Sequence, residues 1–380
     1  MTDQAPENRW WPTLSARLAA LAEGGATLSP SESYRAQEER AAAQRRAASR
    51  QFVKRSEIVL RPSSHANVWL GDVVSAAMGR ESHILQCEIQ HIPAGCETTR
   101  HRHGERVCFV MSGSGTMLIE DGEVPYEPGD AIHIKNGAWH AFRADGTDPT
   151  NLLVGSATAL IEKMVAFPLV YKGDSYSDVP ESFQPQHPFG LGPQAIPTID
   201  GEKWNSSVHQ GRKERLRALE ERSRTARTHI SWRDARIERS HHKGDFKVAL
   251  IDATLGFDVR SVTMAMHQMP PDSFTETHRH AEAVVFVLSG KGYSIVDGER
   301  YDWEAGDCMH IQPGAWHQHF NTDPTHVSQQ LAILPTPLFE QLTTFRGFEE
   351  EGEATGAAPA VYDPKLPWEF DVTVPWPQKP

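Results

Sequence analysis

One segment occurs twice in this chain, and the repetition restricts what the chain can fold into more than any other feature. HRHGERVCFVMSGSG at 101–115 recurs 177 residues later as HRHAEAVVFVLSGKG at 278–292. When 101–140 is aligned with 278–317 without a gap, about half of the positions are identical. The chain therefore contains a duplicated domain.

The length and the repeat together predict two domains with connecting segments. A chain of 380 residues is about twice the size of a typical domain. We predict a helical extension at 1–55, a first barrel at 56–168, a linker with a helix at 169–228, a second barrel at 229–346 and a tail at 347–380. In the tail, Trp368 and Trp376 are expected to dock on a folded surface, because a free tail gains little from exposed tryptophans.

The residue pattern inside each copy is typical of β-strands. RVCFVMSG at 106–113 and AVVFVLSG at 283–290 are β-rich runs closed by glycine, and turn residues separate such runs. Because no helical pattern intervenes, we expect an all-β core made of two tandem antiparallel barrels.

Accessory helices are expected outside the repeated segments. Ser29-Pro30-Ser31-Glu32 has the form of a capping box that opens a helix ending at about Gln51, and a second charged helix is expected at about 212–227. Both contain few apolar residues. We expect them to be solvated and packed on barrel edges, and a contact between copies of the chain is the alternative.

Composition excludes several classes of partner. The chain has 38 basic and 50 acidic residues, a net charge of −12, which disfavours nucleic-acid binding through phosphate neutralisation. Acidic residues precede any apolar run, and no apolar run reaches about 18 residues, so we expect neither a signal peptide nor a membrane span. The 4 cysteines lack paired spacing, which favours a reducing compartment. We expect a cytoplasmic homo-oligomer.

Three histidines stand at the same spacing in each copy. His101 and His103 share one face of a strand, and His140 follows on a later strand. The second copy repeats the set as His278, His280 and His317. Three imidazoles form a typical metal site with open coordination positions, suited to Fe, Zn, Cu or Ni. Hydrogen-bonded core histidines are the alternative, which the repeated spacing disfavours.

These residues resemble the two characteristic motifs of the cupin family. The motif residues of the first copy are Gly95, His101, His103, Gly113, Gly129, Asp130, Gly137 and His140. Those of the second copy are His278, His280, Gly290, Gly306, Pro313, Gly314, His317 and Asn321. The chain is similar to a bicupin, and the resemblance implies two tandem double-stranded β-helix barrels of the jelly-roll type. It covers both repeats, but not the helices, the linker or the tail.

The chain departs from most metal-binding cupins at one ligand. Those cupins carry a glutamate after a spacer of three or four residues beyond the second histidine. At these positions the chain has Val107, Cys108, Val284 and Val285. Glu105 and Glu282 are the nearest acids, and two alternatives stay open for them, a metal ligand or a group outside the metal shell.

A three-histidine bicupin without this glutamate resembles the gentisate, salicylate and 1-hydroxy-2-naphthoate dioxygenases. The resemblance implies a non-haem Fe(II) enzyme that uses O₂ to cleave the ring of a hydroxylated aromatic acid, with Zn, Ni or Mn as alternative metals. Neutral imidazoles leave the ion its full charge, which favours a substrate with a phenolate and an adjacent carboxylate. The alternatives are a non-oxidative metallocupin lyase or isomerase and a small-molecule-binding bicupin without turnover.

Other polar residues near the motifs are candidates for substrate binding or acid–base catalysis. Arg106 is a candidate for binding a carboxylate at the barrel mouth. His133 and His310 occupy matching strand positions, where acid–base groups and packed strand histidines are both expected. His319, two residues after the ligand in the second copy, is expected to share its face.

The two copies differ around their triads. The second copy has His319 and Asn321 where the first has Phe142 and Ala144, so it has more polar groups to orient a ligand or a substrate. Arg106 has no charged counterpart in the second copy, and the dioxygenases that the chain resembles generally use the first barrel. We expect the second barrel to be the catalytic one.

Overall fold

A computed structural model of the protein describes most of both repeated segments. The described residues are 14–48, 51–63, 67–75, 79, 84–163, 170–171, 198–199, 202–203, 207–235, 237–239, 244–341 and 349–351. The predictions for Trp368 and Trp376, and most of the predicted linker, lie outside these residues.

The described residues form two compact units, one of N-terminal helices and one of β-barrels. The helices of the chain are α1 (Leu14–Glu23), α2 (Pro30–Ala48), α3 (Thr158–Lys163), α4 (Ser207–Thr225) and α5 (Thr336–Gln341). In the helical unit, Leu18, Ala19 and Ala36 are buried between α1 and α2. The predicted capping box is confirmed, because the Ser29 backbone N–H donates to the Glu32 carboxylate and the Glu32 N–H donates to the Ser29 hydroxyl.

The first half of the chain contains the strands of barrel 1 and three short strands of other sheets. They are β1 (Phe52–Val53), β2 (Arg61–Pro62), β3 (Trp69–Val74), β4 (Gln86–Ile92), β5 (His101–Arg102), β6 (Arg106–Ser112), β7 (Gly115–Ile119), β8 (Gly122–Tyr126), β9 (Ala131–Ile134), β10 (His140–Ala144), β11 (Thr150–Ser156), β12 (Val170–Tyr171), β13 (Thr198–Ile199) and β14 (Glu202–Lys203).

The second half contains the strands of barrel 2 and one strand that pairs with barrel 1. They are β15 (His229–Ile230), β16 (Ile237–Arg239), β17 (Phe246–Ile251), β18 (Thr263–Met269), β19 (Thr277–Arg279), β20 (Ala283–Ser289), β21 (Lys291–Val296), β22 (Glu299–Glu304), β23 (Cys308–Ile311), β24 (His317–Asn321), β25 (Ser328–Leu334) and β26 (Glu349–Glu351).

Each barrel is built from one large and one small antiparallel sheet. In barrel 1 the strand orders are β15-β9-β6-β11-β4-β3-β2 and β12-β5-β10-β7-β8. In barrel 2 they are β1-β23-β20-β25-β18-β17-β16 and β22-β21-β24-β19-β26. The two orders correspond strand for strand over the repeat, which confirms the predicted all-β core of two tandem jelly-roll barrels.

The barrels exchange a strand. β1 precedes barrel 1 in the chain but pairs with β23 of barrel 2, and β15 precedes barrel 2 but pairs with β9 of barrel 1. The buried aspartates Asp130 and Asp307 hold the segments that follow, by accepting the backbone N–H groups of Trp232 and Arg55 respectively. The N-terminal extension predicted at 1–55 thus includes a strand of the second barrel.

The largest hydrophobic cluster lies between the two large sheets rather than inside either barrel. It includes Val107 and Phe109 from barrel 1 and Val284 and Phe286 from barrel 2. Separate apolar clusters fill the two interiors. Because both large sheets bury their outer faces against each other, the two barrels share one core.

Helix α4 lies at the surface of the barrels, and α3 and α5 directly follow β11 and β25. Most described side chains of α4 are exposed, as predicted, and Arg222 forms an ion pair with Asp258 of barrel 2. Lys135 of barrel 1 donates to the carbonyl of Ser223 on the same helix. Within the described residues, no helix combines the length and the apolar character needed to span a membrane.

Candidate metal centres

The predicted histidine triads come together in both barrels. Antiparallel pairing sets His140 on β10 directly opposite His101 on β5, and His317 on β24 directly opposite His278 on β19. The second motif histidines, His103 and His280, complete the two clusters just after β5 and β19. In each cluster one ligand nitrogen per histidine lies within 4.8 Å of the other two.

Backbone carbonyl groups fix the orientation of all six imidazoles. The Nδ1 atoms of His101, His103 and His140 lie 2.8, 2.6 and 2.9 Å from the carbonyl oxygens of Thr99, Gly104 and Ala138. The Nδ1 atoms of His278, His280 and His317 lie 2.9, 2.6 and 2.9 Å from those of Glu276, Ala281 and Ala315. A carbonyl only accepts, so each Nδ1 carries the proton and each Nε2 keeps its lone pair for a metal.

The electrostatics of the clusters favour the neutral form of the third histidine in each triad, and a metal ligand must be neutral. Burial and the proximity of His101 lower the pKa of His140 to about 3. Burial and the neighbouring His278 hold the pKa of His317 well below its usual value. The Nε2 of His317 is buried and has no hydrogen-bond partner among the described residues. A divalent cation fits this donor set, because it satisfies that nitrogen and accepts neutral imidazoles.

The glutamates nearest the motifs face the opposite barrel. Glu105 is buried, and its carboxylate accepts from the backbone N–H groups of Arg260 and Ser261 in barrel 2. Glu282 is likewise buried and accepts from the backbone N–H of Ile84. Neither carboxylate belongs to the metal-ligand clusters found among the described residues. Of the two alternatives for these acids, the structure favours a group outside the metal shell.

His133 and His310 are the partners of these glutamates. The Nε2 of His133 lies 2.7 Å from Glu105 Oε1, and the Nε2 of His310 lies 2.7 Å from Glu282 Oε1. Both imidazoles are fully buried in strands of the large sheets. Of the two expectations for this pair, the packed strand histidine matches these positions, since each ring joins the contact between the barrels.

Arg106 lies at one end of barrel 1, paired with an acid. Its guanidinium is 2.7 Å from Glu88 Oε1, and the side chain is partly exposed. Its charge contributes to the lowered pKa values of His103 and His140. Arg106 also lines a cavity of about 60 Å³ whose lining contains none of the three histidines. The carboxylate-binding role predicted for it would require release from Glu88.

His319 lies beside the triad of barrel 2, as its spacing predicts. Its ring centroid is 5.3 Å from that of His317, and its Nδ1 is 2.7 Å from the hydroxyl of Ser294. Asn321, which the sequence also placed at this site, has a different role. Its amide donates to the carbonyls of Met269 and Pro270, so it closes a loop and orients no ligand.

A cavity of about 120 Å³ reaches the triad of barrel 2. This is close to the size of a single aromatic ring, since a cavity of about 150 Å³ binds benzene. His278, His280 and His319 line it on one side. A neighbouring cavity of about 110 Å³ shares His280 and Lys247 with it.

Sequence reasoning missed the opposite wall of this cavity. Lys247, His267 and Gln330 lie side by side on β17, β18 and β25 and line the cavity together. We call these three residues the polar row. The Nδ1 of His267 is 2.6 Å from Asp245 Oδ2, which also lines the cavity.

The same row in barrel 1 is largely apolar. Leu70, Gln90 and Leu152 occupy the matching register positions on β3, β4 and β11. Phe142 and Leu152 belong to the apolar cluster that fills this barrel. These strands lie outside the segments that align without a gap, so comparing the registers of the two copies is the signal that finds the difference.

Comparison with known proteins identifies the domain family. A model of the cupin domain matches residues 88–155 and 265–333, one match around each triad. A 5-aminosalicylate 1,2-dioxygenase from Comamonas sp is 33% identical over 104 residues, which are 27% of this chain and 25% of that protein. The chain spans 15% to 40% of the length of the curated relatives it matches.

Solved structures show the same fold at low sequence identity. A salicylate 1,2-dioxygenase from Pseudaminobacter salicylatoxidans has a TM-score of 0.51 and 17% identity, over 73% of this chain and 79% of that one. An oxalate decarboxylase from Lactobacillus farciminis has a TM-score of 0.53 and 16% identity, over 78% of this chain and 90% of that one. These similarities concern the fold alone.

Proposed function

We propose that the chain is a metal-dependent dioxygenase that cleaves the ring of a hydroxylated aromatic acid, because a cupin domain matches each half of the chain and each match contains a complete histidine triad. The observation that carries the proposal is the donor set, three neutral imidazoles with convergent Nε2 atoms and no carboxylate. The dioxygenase relatives support the same reaction class.

Barrel 2 is the proposed catalytic barrel. Its triad opens onto a cavity of about 120 Å³ with polar groups on two walls. In barrel 1 the corresponding interior holds Phe142 and Leu152 in an apolar cluster. A substrate with oxygen substituents is better solvated in the polar cavity, since buried polar groups require hydrogen-bond partners.

The residues of barrel 2 have separate tasks in this proposal. His278, His280 and His317 would hold the metal, for which we propose Fe(II), with Zn, Ni or Mn as alternatives. When bound, Fe(II) supplies positions for an anionic substrate and for O₂ and exchanges electrons with them. Val285, Ala332 and Leu334 form the apolar part of the cavity lining and would hold the ring away from water.

The test is oxygen consumption by the full chain. Protein loaded with Fe(II) under argon is mixed with aerated 2-hydroxybenzoate, 2,5-dihydroxybenzoate or 5-amino-2-hydroxybenzoate. We expect one O₂ consumed per acid and the loss of aromatic absorbance. Protein loaded with Zn(II) is the control and should consume none. Acid conversion without O₂ uptake would replace this proposal with a non-oxidative lyase or isomerase, and tight binding without conversion would replace it with a binding protein.

A further inference from the structure

The polar row of barrel 2 faces the proposed metal ligands across the barrel interior. His278 and His317 are carried by the small sheet, whereas Lys247, His267 and Gln330 are carried by the large sheet. The row lines the same cavity as two of the three proposed ligands, His278 and His280. A ligand that binds the metal at one end therefore meets the row with its other end.

Gln330 has a side-chain donor that no described residue satisfies. The residue is 1% exposed, and its Nε2 has no hydrogen-bond partner among the described residues. Buried amide groups are nearly always satisfied, and the described residues supply no partner for this donor, so a ligand in the cavity can provide one. Packing does not require a glutamine here, because Leu152 fills the matching position in barrel 1.

His267 offers the complementary group. Its Nδ1 donates to the Asp245 carboxylate, an acceptor when ionised, and this fixes the tautomer with Nε2 as the acceptor nitrogen. His267 and Gln330 are directly opposite on adjacent antiparallel strands. One hydroxyl group placed between them can accept from Gln330 and donate to His267.

We propose that Gln330 and His267 are specificity-determining residues of barrel 2, and that they select ligands carrying a hydroxyl group at the end remote from the metal. The proposal rests on the proposed function, because the metal-binding end of the ligand is taken from it. Lys247, on the exposed side of the row, adds a cation that favours a polar or anionic substituent over an apolar one.

The experiment measures binding rather than turnover. Dissociation constants for 2,5-dihydroxybenzoate, 2-hydroxybenzoate and 2-hydroxy-5-methylbenzoate are measured by calorimetry, under argon, with the Fe(II)-loaded full chain. We expect the dihydroxy acid to bind about tenfold more tightly than the methyl acid, because the latter leaves the Gln330 donor unsatisfied. In Gln330→Leu this ratio should fall to about one.

Matched variants separate a direct role in ligand binding from a general disturbance of the fold. Gln90→Leu removes the only amide of the corresponding row in barrel 1 and should leave the ratio unchanged. Gln330→Met keeps a side chain of similar length without the amide. It provides the same measurement if the leucine variant does not fold. His267→Leu should lower the ratio as well, since it removes the acceptor.

The outcomes distinguish this inference from the proposed function. The inference is wrong if the acids bind but the wild type does not prefer the dihydroxy acid over the methyl acid. It is also wrong if the tenfold preference persists in both Gln330 variants. In either case the dioxygenase proposal stands. If none of the acids binds the Fe(II)-loaded chain, the proposed function fails and the inference fails with it. A ratio lost only in the Gln330 and His267 variants supports both.

Discussion

Each barrel contains a candidate metal site of the same design, but the walls opposite the two sites differ. Both triads have the same register and equivalent carbonyl partners, and burial lowers the pKa of the third histidine in each, His140 and His317. The walls opposite the triads differ, with Lys247, His267 and Gln330 in barrel 2 and mostly leucine in barrel 1. The two copies have therefore kept the candidate metal ligands and changed the side chains of the opposite wall.

This difference teaches that a complete cupin motif does not identify a catalytic site. The triad depends on short-range features, a strand pair and carbonyl acceptors, which both copies retain. Access of a ligand to the triad depends on side chains from three strands of the large sheet, which faces the triad. A metal in barrel 1 is expected to be structural, because Met117, Phe142 and Leu152 occupy the interior next to it.

The largest expected effect concerns which barrel turns over. His278→Ala should lower turnover of the best aromatic acid by more than about a hundredfold. Loss of a residue that only hydrogen-bonds to a metal ligand costs about 10–100-fold, and loss of the ligand itself should cost more. His101→Ala should retain most of the wild-type rate. Steady-state O₂ uptake at equal iron occupancy of the remaining site makes the comparison. The reverse pattern would assign catalysis to barrel 1.

The second prediction tests whether both triads bind metal. The Fe(II)-reconstituted wild type should approach two metal ions per chain, because both donor sets are complete. His317→Ala and His140→Ala should each approach one ion per chain, with unchanged far-ultraviolet circular dichroism. Elemental analysis after gel filtration gives the ratio. A wild-type value that stays at one would show that the two triads are not equivalent as metal sites.

The third prediction concerns the contact between the barrels. Glu105→Ala removes a buried carboxylate that His133, Arg260 and Ser261 share, and should reduce the free energy of unfolding by about 3–5 kcal/mol. Urea denaturation of the metal-free protein measures the loss.

An exposed acid is the control for Glu105. Asp145 pairs with Arg143 at the surface, and Asp145→Ala should change stability by less than about 1 kcal/mol. Equal effects of the two substitutions would contradict the assignment of Glu105 as an interior contact between barrels.

The sequence predicts the fold and the metal ligands because each depends on local pattern. Alternation and glycine-closed runs indicate strands, and the i, i+2 histidines need only a strand to share a face. The third histidine was identified because it recurs at the same distance in both copies. The cupin match over 88–155 and 265–333 confirms the predicted fold, whereas the metal ligands stay a prediction.

The remaining features depend on pairing between distant segments, which a single sequence does not specify. The exchange of β1 and β15 joins residues about a hundred or more positions apart, whereas the prediction places β1 in the helical extension and β15 in the second barrel. Closeness in sequence leaves both roles open for Glu105 and suggests that Asn321 orients a ligand or a substrate. Their partners lie in the opposite barrel and in a loop, and only the tertiary structure brings these together.

The smallest expected effect arises where equivalent positions of the two barrels meet. Gly155 on β11 and Ile333 on β25 occupy matching register positions, and a Cβ at Gly155 would lie 2.5 Å from the Ile333 side chain. Two large residues cannot both fit at this contact, so one copy carries glycine. Gly155→Ala should therefore destabilise the protein by about 1–3 kcal/mol through overpacking. Adding Ile333→Val should recover part of that loss in urea denaturation, although Ile333→Val alone is destabilising. Additive losses in the double variant would mean that the two positions do not compete for the same space.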